Sequence, residues 1–155
     1  MSGGCAIRRL GSRDVETARQ LNRLFSEAFD DPVSYESAPP GRSYLAEILG
    51  RDSVITLVAE ADGELVGGLV AYVLPKLEQE RSEIYIYDLA VVARRRREGI
   101  ATALIGELQE VAADIGAWVI YVQADYGDAP AIALYEKLGR REDVMQFDIA
   151  PAATR

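Results

Sequence analysis

The sequence predicts an α/β domain built on a mixed, mostly antiparallel sheet with helices on both faces. Three features carry that expectation. Strand-like and helix-like segments follow one another in the order β-α-α-β-β-β-α-β-α-β. Asp62-Gly63 separates two apolar runs as a two-residue hairpin turn would. The stretch 99–115 repeats its apolar residues at helical spacing between two strand-like runs. At 155 residues, 49% of them hydrophobic, the chain fits one domain, 1–155, with a sizeable core.

Residues 5–10 suit a first strand. Ser12 can N-cap a helix over 13–29, where Val15, Ala18, Leu21, Phe25 and Phe29 share a face. Asp30-Asp31-Pro32 stops it and Pro39-Pro40-Gly41 marks a loop. A short helix follows, with Ser43 as candidate N-cap and Gly50 past its end. Residues 53–60 and 65–74 read as a hairpin pair, with Gly67-Gly68 marking a bulge in the second strand. After a polar loop, 83–92 is the next strand. The helix over 99–115 buries Ile100, Leu104, Leu108, Val111 and Ile115, and Gly116 closes it. Residues 117–124 form a strand. Asp128 caps a helix over 129–138 that carries Pro130 in its first turn and Gly139 after its end. Residues 142–149 read as a last strand, an exposed edge compatible with a homodimer.

Composition excludes several kinds of chemistry. With no histidine, the chain holds neither a Ser-His-Asp nor a Cys-His apparatus, and no metal site is expected. Proton transfer falls to carboxylates, tyrosines, lysines or water. The single cysteine, Cys5, allows no internal disulfide and reads as a bystander near the chain end. No apolar run is long enough to span a membrane, and residues 1–11 lack a signal-peptide core, so a cytoplasmic location is expected. The net charge of −8, from 17 basic and 25 acidic side chains, argues against nucleic acid and favours a polycationic partner.

The densest chemical signal lies at 83–102. A strand-like run ends in Arg94–Arg97, then Glu98-Gly99-Ile100-Ala101-Thr102 opens a helix. The first N–H groups of a helix have no internal partner, and the dipole adds positive charge there. With arginines beside it, such a turn cradles a pyrophosphate. The competing explanation is a solvated basic run or a nucleic-acid patch.

Arg96, Gly99 and Ala101 meet the pattern Q/R-x-x-G-x-G/A. Ala131, Leu134, Tyr135, Lys137 and Gly139 meet N-x-x-A-x-x-L-Y-x-K-x-G, with Asp128 in place of the asparagine. Together they resemble the GNAT acyl-CoA N-acyltransferase superfamily. AYVLPKLEQERSEIYIYDLAV, RRREGIATALI and VIYVQADYGDAPAIALYEKLG are similar to gentamicin-type aminoglycoside 3-N-acetyltransferases, densely over residues 53–149 and more loosely before them.

The resemblance implies that acetyl-CoA is the donor and coenzyme A the product. It places the pyrophosphate at Arg96, Arg97, Glu98, Gly99, Ile100, Ala101 and Thr102. It places the pantetheine arm along Leu89, Ala90 and Val91, where the strand splays from 117–124 and the N–H of Leu89 or a neighbour polarises the thioester carbonyl. Ordinary ladder pairing is the alternative for that strand. Tyr135 would protonate the departing thiolate, or only pack between Leu134 and Leu138.

The acceptor residues are less defined. Alternation places Glu83, Tyr85 and Tyr87 on one face and Ile84, Ile86 and Asp88 on the other. An acid in that apolar series requires a bulge, an ion pair or a wet site. Asp125, Tyr126 and Asp128 follow strand 117–124, where an acidic loop could hold ammonium groups, although turn and capping chemistry also explains them. The proton acceptor stays open among Asp125, Asp88, Glu83 and water. The implied activity is N-acetylation of a polycationic aminoglycoside by direct attack, which would confer antibiotic resistance. The alternatives are a GNAT enzyme for a polyamine or protein lysine, and a non-catalytic acyl-CoA-binding module.

Overall fold

A computed structural model describes residues 4–153. They form two compact units that divide after Gln123. The first unit contains β1 (Ala6–Arg9), α1 (Val15–Phe29), α2 (Pro32–Glu36), α3 (Arg42–Leu49), β2 (Val54–Ala61), β3 (Glu64–Pro75), β4 (Ser82–Val91), a 3-10 turn (Ala93–Arg95), α4 (Ile100–Ile115) and β5 (Ala117–Val122). The sheet order is β1-β2-β3-β4-β5. Its first three pairings are antiparallel and β4–β5 is parallel. This is the GNAT-type α/β arrangement that the sequence implies.

Local chemistry explains the joints. Asp62 and Gly63 take φ of 53° and 76°, the two left-handed residues that a type I′ hairpin turn requires. Two adjacent glycines show how the sheet is covered. A Cβ on Gly68 would lie 2.2 Å from Leu21 Cδ1 of α1, whereas one on Gly67 would lie 3.3 Å from Ile100 Cγ2 of α4. Neighbouring strand residues face opposite sides, so α1 and α4 cover opposite faces. The β2–β3 register shifts beside Gly67, at the bulge expected there.

The face under α1 buries Leu21, Leu24, Phe25, Val58 and Ala90 in one cluster. Each large side chain of this kind contributes about 1.5–3 kcal/mol by leaving water.

Several local expectations change. Helix α1 starts after Asp14, not Ser12. The Asp14 carboxylate accepts the Gly11 N–H at 2.8 Å and so fixes the approach to the helix. Helix α3 is capped by Gly41 rather than Ser43. An additional helix, α2, occupies the stretch after the Asp30–Pro32 stop. Asp31 caps it by accepting the Ser34 N–H, and Pro32 suits its first position.

The second unit contains α5 (Ala129–Leu138), capped by Asp128, which accepts the Ala131 N–H at 3.2 Å. The strand expected over 142–149 does not form. Val144, Met145, Phe147 and Ile149 are exposed, and none of the described residues pairs with this segment. Alternation supplies the strand propensity, but a strand also needs a ladder partner. The edges of the sheet are therefore β1 and β5, not the C-terminal segment. No helix among the described residues is long and apolar enough to cross a membrane.

Candidate active site

The turn between β4 and α4 has the features of an anion site. Gly99 stands at the N-cap with φ of 81°, and no side chain caps α4. The first N–H groups of the helix are thus left for a ligand. Arg97 is also left-handed, at φ 65°, a conformation that is unusual for a non-glycine residue. The four arginines divide into two pairs. Arg94 is bound by Glu64, and Arg95 by Glu98 at 2.8 Å and Asp62 at 3.6 Å. Among the described residues, neither Arg96 nor Arg97 has a carboxylate partner. Arg96 instead lies against the Val91 carbonyl, its Nε 3.4 Å away. A groove of about 310 Å³ runs between α1 and this turn, past Leu24, Ala28, Val92 and Arg96.

Strand β4 is open on one side where an extended ligand arm would need it. Its pairing with β5 runs from Ser82 only to Ile86. Beyond that point Leu89, Ala90 and Val91 pair with Leu69, Gly68 and Gly67 of β3, and no strand among the described residues takes the other side. Val92 donates its N–H to Val66 of β3 at 2.8 Å. Alternation along the strand then turns the polar groups of Val91 and Leu89 to the unpaired side. These backbone groups, the free helix N-terminus and the two unpaired arginines fit the carbonyl, amide and phosphate groups of acetyl-CoA.

The end of the β4–β5 pairing coincides with a bulge. In the β3 register Val70 faces Asp88 while Ala71 faces Ile86, which leaves Tyr87 as the extra residue. The expected alternation breaks there. Asp88 leaves the Ile84–Ile86 face and joins the tyrosine face, opposite Val70, which packs on the α1 cluster. The Tyr35 hydroxyl of α2 donates to Asp88 Oδ1. Tyr72 lies edge-on to Tyr87 at 6.0 Å, Tyr87 to Tyr85 at 5.7 Å, and Tyr85 stacks on Tyr121 at 4.7 Å. The Tyr85 hydroxyl reaches Gln123 Oε1 at 2.8 Å.

Burial raises the Asp88 carboxyl above the usual aspartate range, and the Tyr35 bond offsets part of that rise. Burial and the neighbouring Asp88 raise the Tyr72 phenol. The result is one half-buried carboxylate in a wall of aromatic hydroxyls, a site suited to an ammonium group.

Glu83 is not part of this cluster. It pairs with Lys76 at 3.5 Å, near the other end of β4. In the second unit the Tyr126 hydroxyl donates to Asp143 at 3.2 Å, and Arg141 lies over the Tyr126 ring. Asp125 is exposed, and its carbonyl accepts the Asp128 N–H in the turn before α5. Tyr135 is half-buried; burial, then Asp128, raises its phenol, which keeps it protonated and able to donate. Burial also raises the Cys5 thiol, which suits a bystander more than a nucleophile.

Sequence reasoning missed Tyr35, Tyr72 and Tyr121. Only their meeting around Asp88 gives them significance, and no local motif marks it.

The splayed β4 and the glycine-capped α4 define an acyl-CoA-dependent N-acetyltransferase fold. Residues 18–139 match the model of the acetyltransferase (GNAT) family, and the chain belongs to that family. It is an acetyltransferase that uses acetyl-CoA. Among solved structures it is similar to an aminoglycoside acetyltransferase from an uncultured soil metagenomic sample. The two are 50% identical, the match covers 96% of this chain and 99% of that one, and the TM-score is 0.94. A second soil-metagenome aminoglycoside acetyltransferase, solved with sisomicin, is 30% identical over 95% of this chain and 96% of that one, at a TM-score of 0.87. An N-alpha-acetyltransferase of Sulfurisphaera tokodaii is 29% identical over 147 residues, 88% of this chain and 80% of that protein.

Proposed function

We propose that the chain acts as a single domain that acetylates an amino group of a gentamicin-like aminoglycoside, the 3-amino group, and thereby confers resistance. The observation that carries this reading is Asp88, half-buried among tyrosines where β4 parts from β5. A neutral or anionic acceptor would leave that carboxylate uncompensated, whereas a polycation satisfies it and gains from the net charge of −8. The likeness to two aminoglycoside acetyltransferases supports the same class.

When bound, acetyl-CoA supplies the acetyl group as a thioester. Arg96, Arg97 and the backbone N–H groups from Arg97 to Thr102 would hold its phosphates. The backbone of Leu89, Ala90 and Val91 would align the arm, with the N–H of Leu89 or a neighbour placed to polarise the carbonyl. Tyr135, protonated as its raised phenol requires, would supply a proton to the leaving sulfur. Tyr85 and Tyr87 beside Asp88 would contribute to the acceptor cleft, Asp125, Tyr126 and Asp128 remain the acceptor candidates of the second unit, and a carboxylate, Asp88 or Asp125, would take the amine proton. Acetylation removes one charge and one donor from the drug, which weakens its hold on RNA.

The test is an NMR analysis of the product formed from gentamicin and acetyl-CoA. Acetyl on the 3-amino nitrogen is expected. Acetyl on another nitrogen would refute the position, and no drug-dependent product would refute the class.

A further inference from the structure

Tyr35 is well placed to do more than pack. Its ring is seated against Phe25 at 5.9 Å and Phe29 at 5.8 Å, both on α1. Its hydroxyl ends on Asp88 Oδ1, bridging the α1–α2 pair to the bulge in β4. Among the described residues Asp88 Oδ2 accepts no hydrogen bond. Asp88 is also adjacent in sequence to Leu89, whose polar backbone faces the open side of β4, so a group held at Oδ2 would sit within a few ångströms of that edge.

We infer that Tyr35 is a positioning residue that fixes Asp88 by one oxygen and leaves the other to receive the reacting ammonium and its proton. This rests on the proposed reading of the site as an amine acceptor. The balance is simple. The ammonium gives one proton to Asp88, which passes it to solvent. The freed nitrogen forms the C–N bond as the C–S bond breaks. The nitrogen loses its second proton, and the sulfur gains one.

The groups around the carboxylate are mainly phenols: Tyr35 from α2, Tyr72 from β3, Tyr85 and Tyr87 from β4, with Tyr44 of α3 and Tyr121 of β5 one shell further out. Asp31 is a further acid near Tyr35, and it helps to raise the Tyr35 phenol. The Glu36 carboxylate is occupied by the Ser26 hydroxyl at 2.6 Å. No cation among these groups neutralises Asp88, so the acceptor must bring one.

The sign of the pH effect follows from the Tyr35 bond, which lowers the Asp88 carboxyl against its burial. Tyr35→Phe keeps the ring packing and removes only the donor. The acid limb of kcat/KM for gentamicin should move to higher pH. The loss should be about 10-fold at pH 6 and shrink towards pH 8, with the affinity for acetyl-CoA unchanged. Asp88→Asn, which keeps an acceptor for Tyr35, should lose about 100-fold or more at every pH. Superimposable pH profiles for wild type and Tyr35→Phe, or an active Asp88→Asn, would overturn the inference while leaving the drug reading intact. A wild type with no gentamicin-dependent turnover would instead refute the reading beneath it.

Discussion

Leu21 of α1 occupies the space that a side chain at Gly68 of β3 would need: a Cβ there would lie 2.2 Å from Leu21 Cδ1 and 3.2 Å from the Leu57 carbonyl. Leu21 is fully buried, so making room for a Cβ would disturb the packing around it. Gly68→Ala should therefore cost about 1–3 kcal/mol of stability by overpacking. Gly106, inside α4 with nothing within 4 Å of its Cβ position, gives the opposite sign. Gly106→Ala should add about 0.5–1 kcal/mol. Chemical denaturation of the two variants checks both.

The arginine run should divide functionally as it divides structurally. Arg97→Ala and Arg96→Ala should each raise the KM for acetyl-CoA about 10-fold, the loss of one charge-assisted phosphate contact. Arg94→Ala should change it little, because Arg94 is bound by Glu64. Steady-state kinetics with the acceptor saturating separates them.

Removing the Tyr135 hydroxyl tests its role as an acid. Tyr135→Phe should lower kcat about 10–100-fold with little change in either KM, the pattern of a group needed in the transition state. A packing role predicts a lowered Tm with kcat intact.

Asp88 should weaken the fold that holds it. Burial raises its carboxyl in the folded state. The fold therefore has its full stability below the ordinary aspartate pKa and loses this contribution as pH rises through the raised value. Asn does not ionise, so Asp88→Asn should have a higher Tm than the wild type at pH 7. The gap should close on acidification below pH 4. Higher stability with lost activity would mark Asp88 as a functional residue.

Salt should act on the acceptor. If the charge of −8 helps to gather a polycation, the KM for gentamicin should rise several-fold between 20 and 300 mM salt, with kcat nearly constant. A flat KM would show that only contact interactions matter.

Much of the architecture could be read from local chemistry. Asp62-Gly63 specifies its own turn type, Gly116 and Gly50 end their helices, and Gly99 stands at the start of α4 where the motif puts it. Asp88 showed in the sequence as an acid in an apolar strand, and the bulge at Tyr87 turns out to be its explanation. Other features lay beyond local signals. Helix α2 has five residues, too few for periodicity to show. Tyr35 matters only because α2 brings it to β4, a contact 53 residues apart in sequence. The segment 142–149 misled because alternation reports strand propensity and says nothing about a partner.

Initial rates of coenzyme A thiol release test the central claim most directly, with gentamicin and a peptide bearing a free N-terminus as rival acceptors. The rate without acceptor is subtracted because Cys5 is itself a free thiol. The account predicts kcat/KM for gentamicin at least about 100-fold above that for the peptide, a preference of roughly 2.7 kcal/mol. Equal rates, or a preference for the peptide, would contradict it.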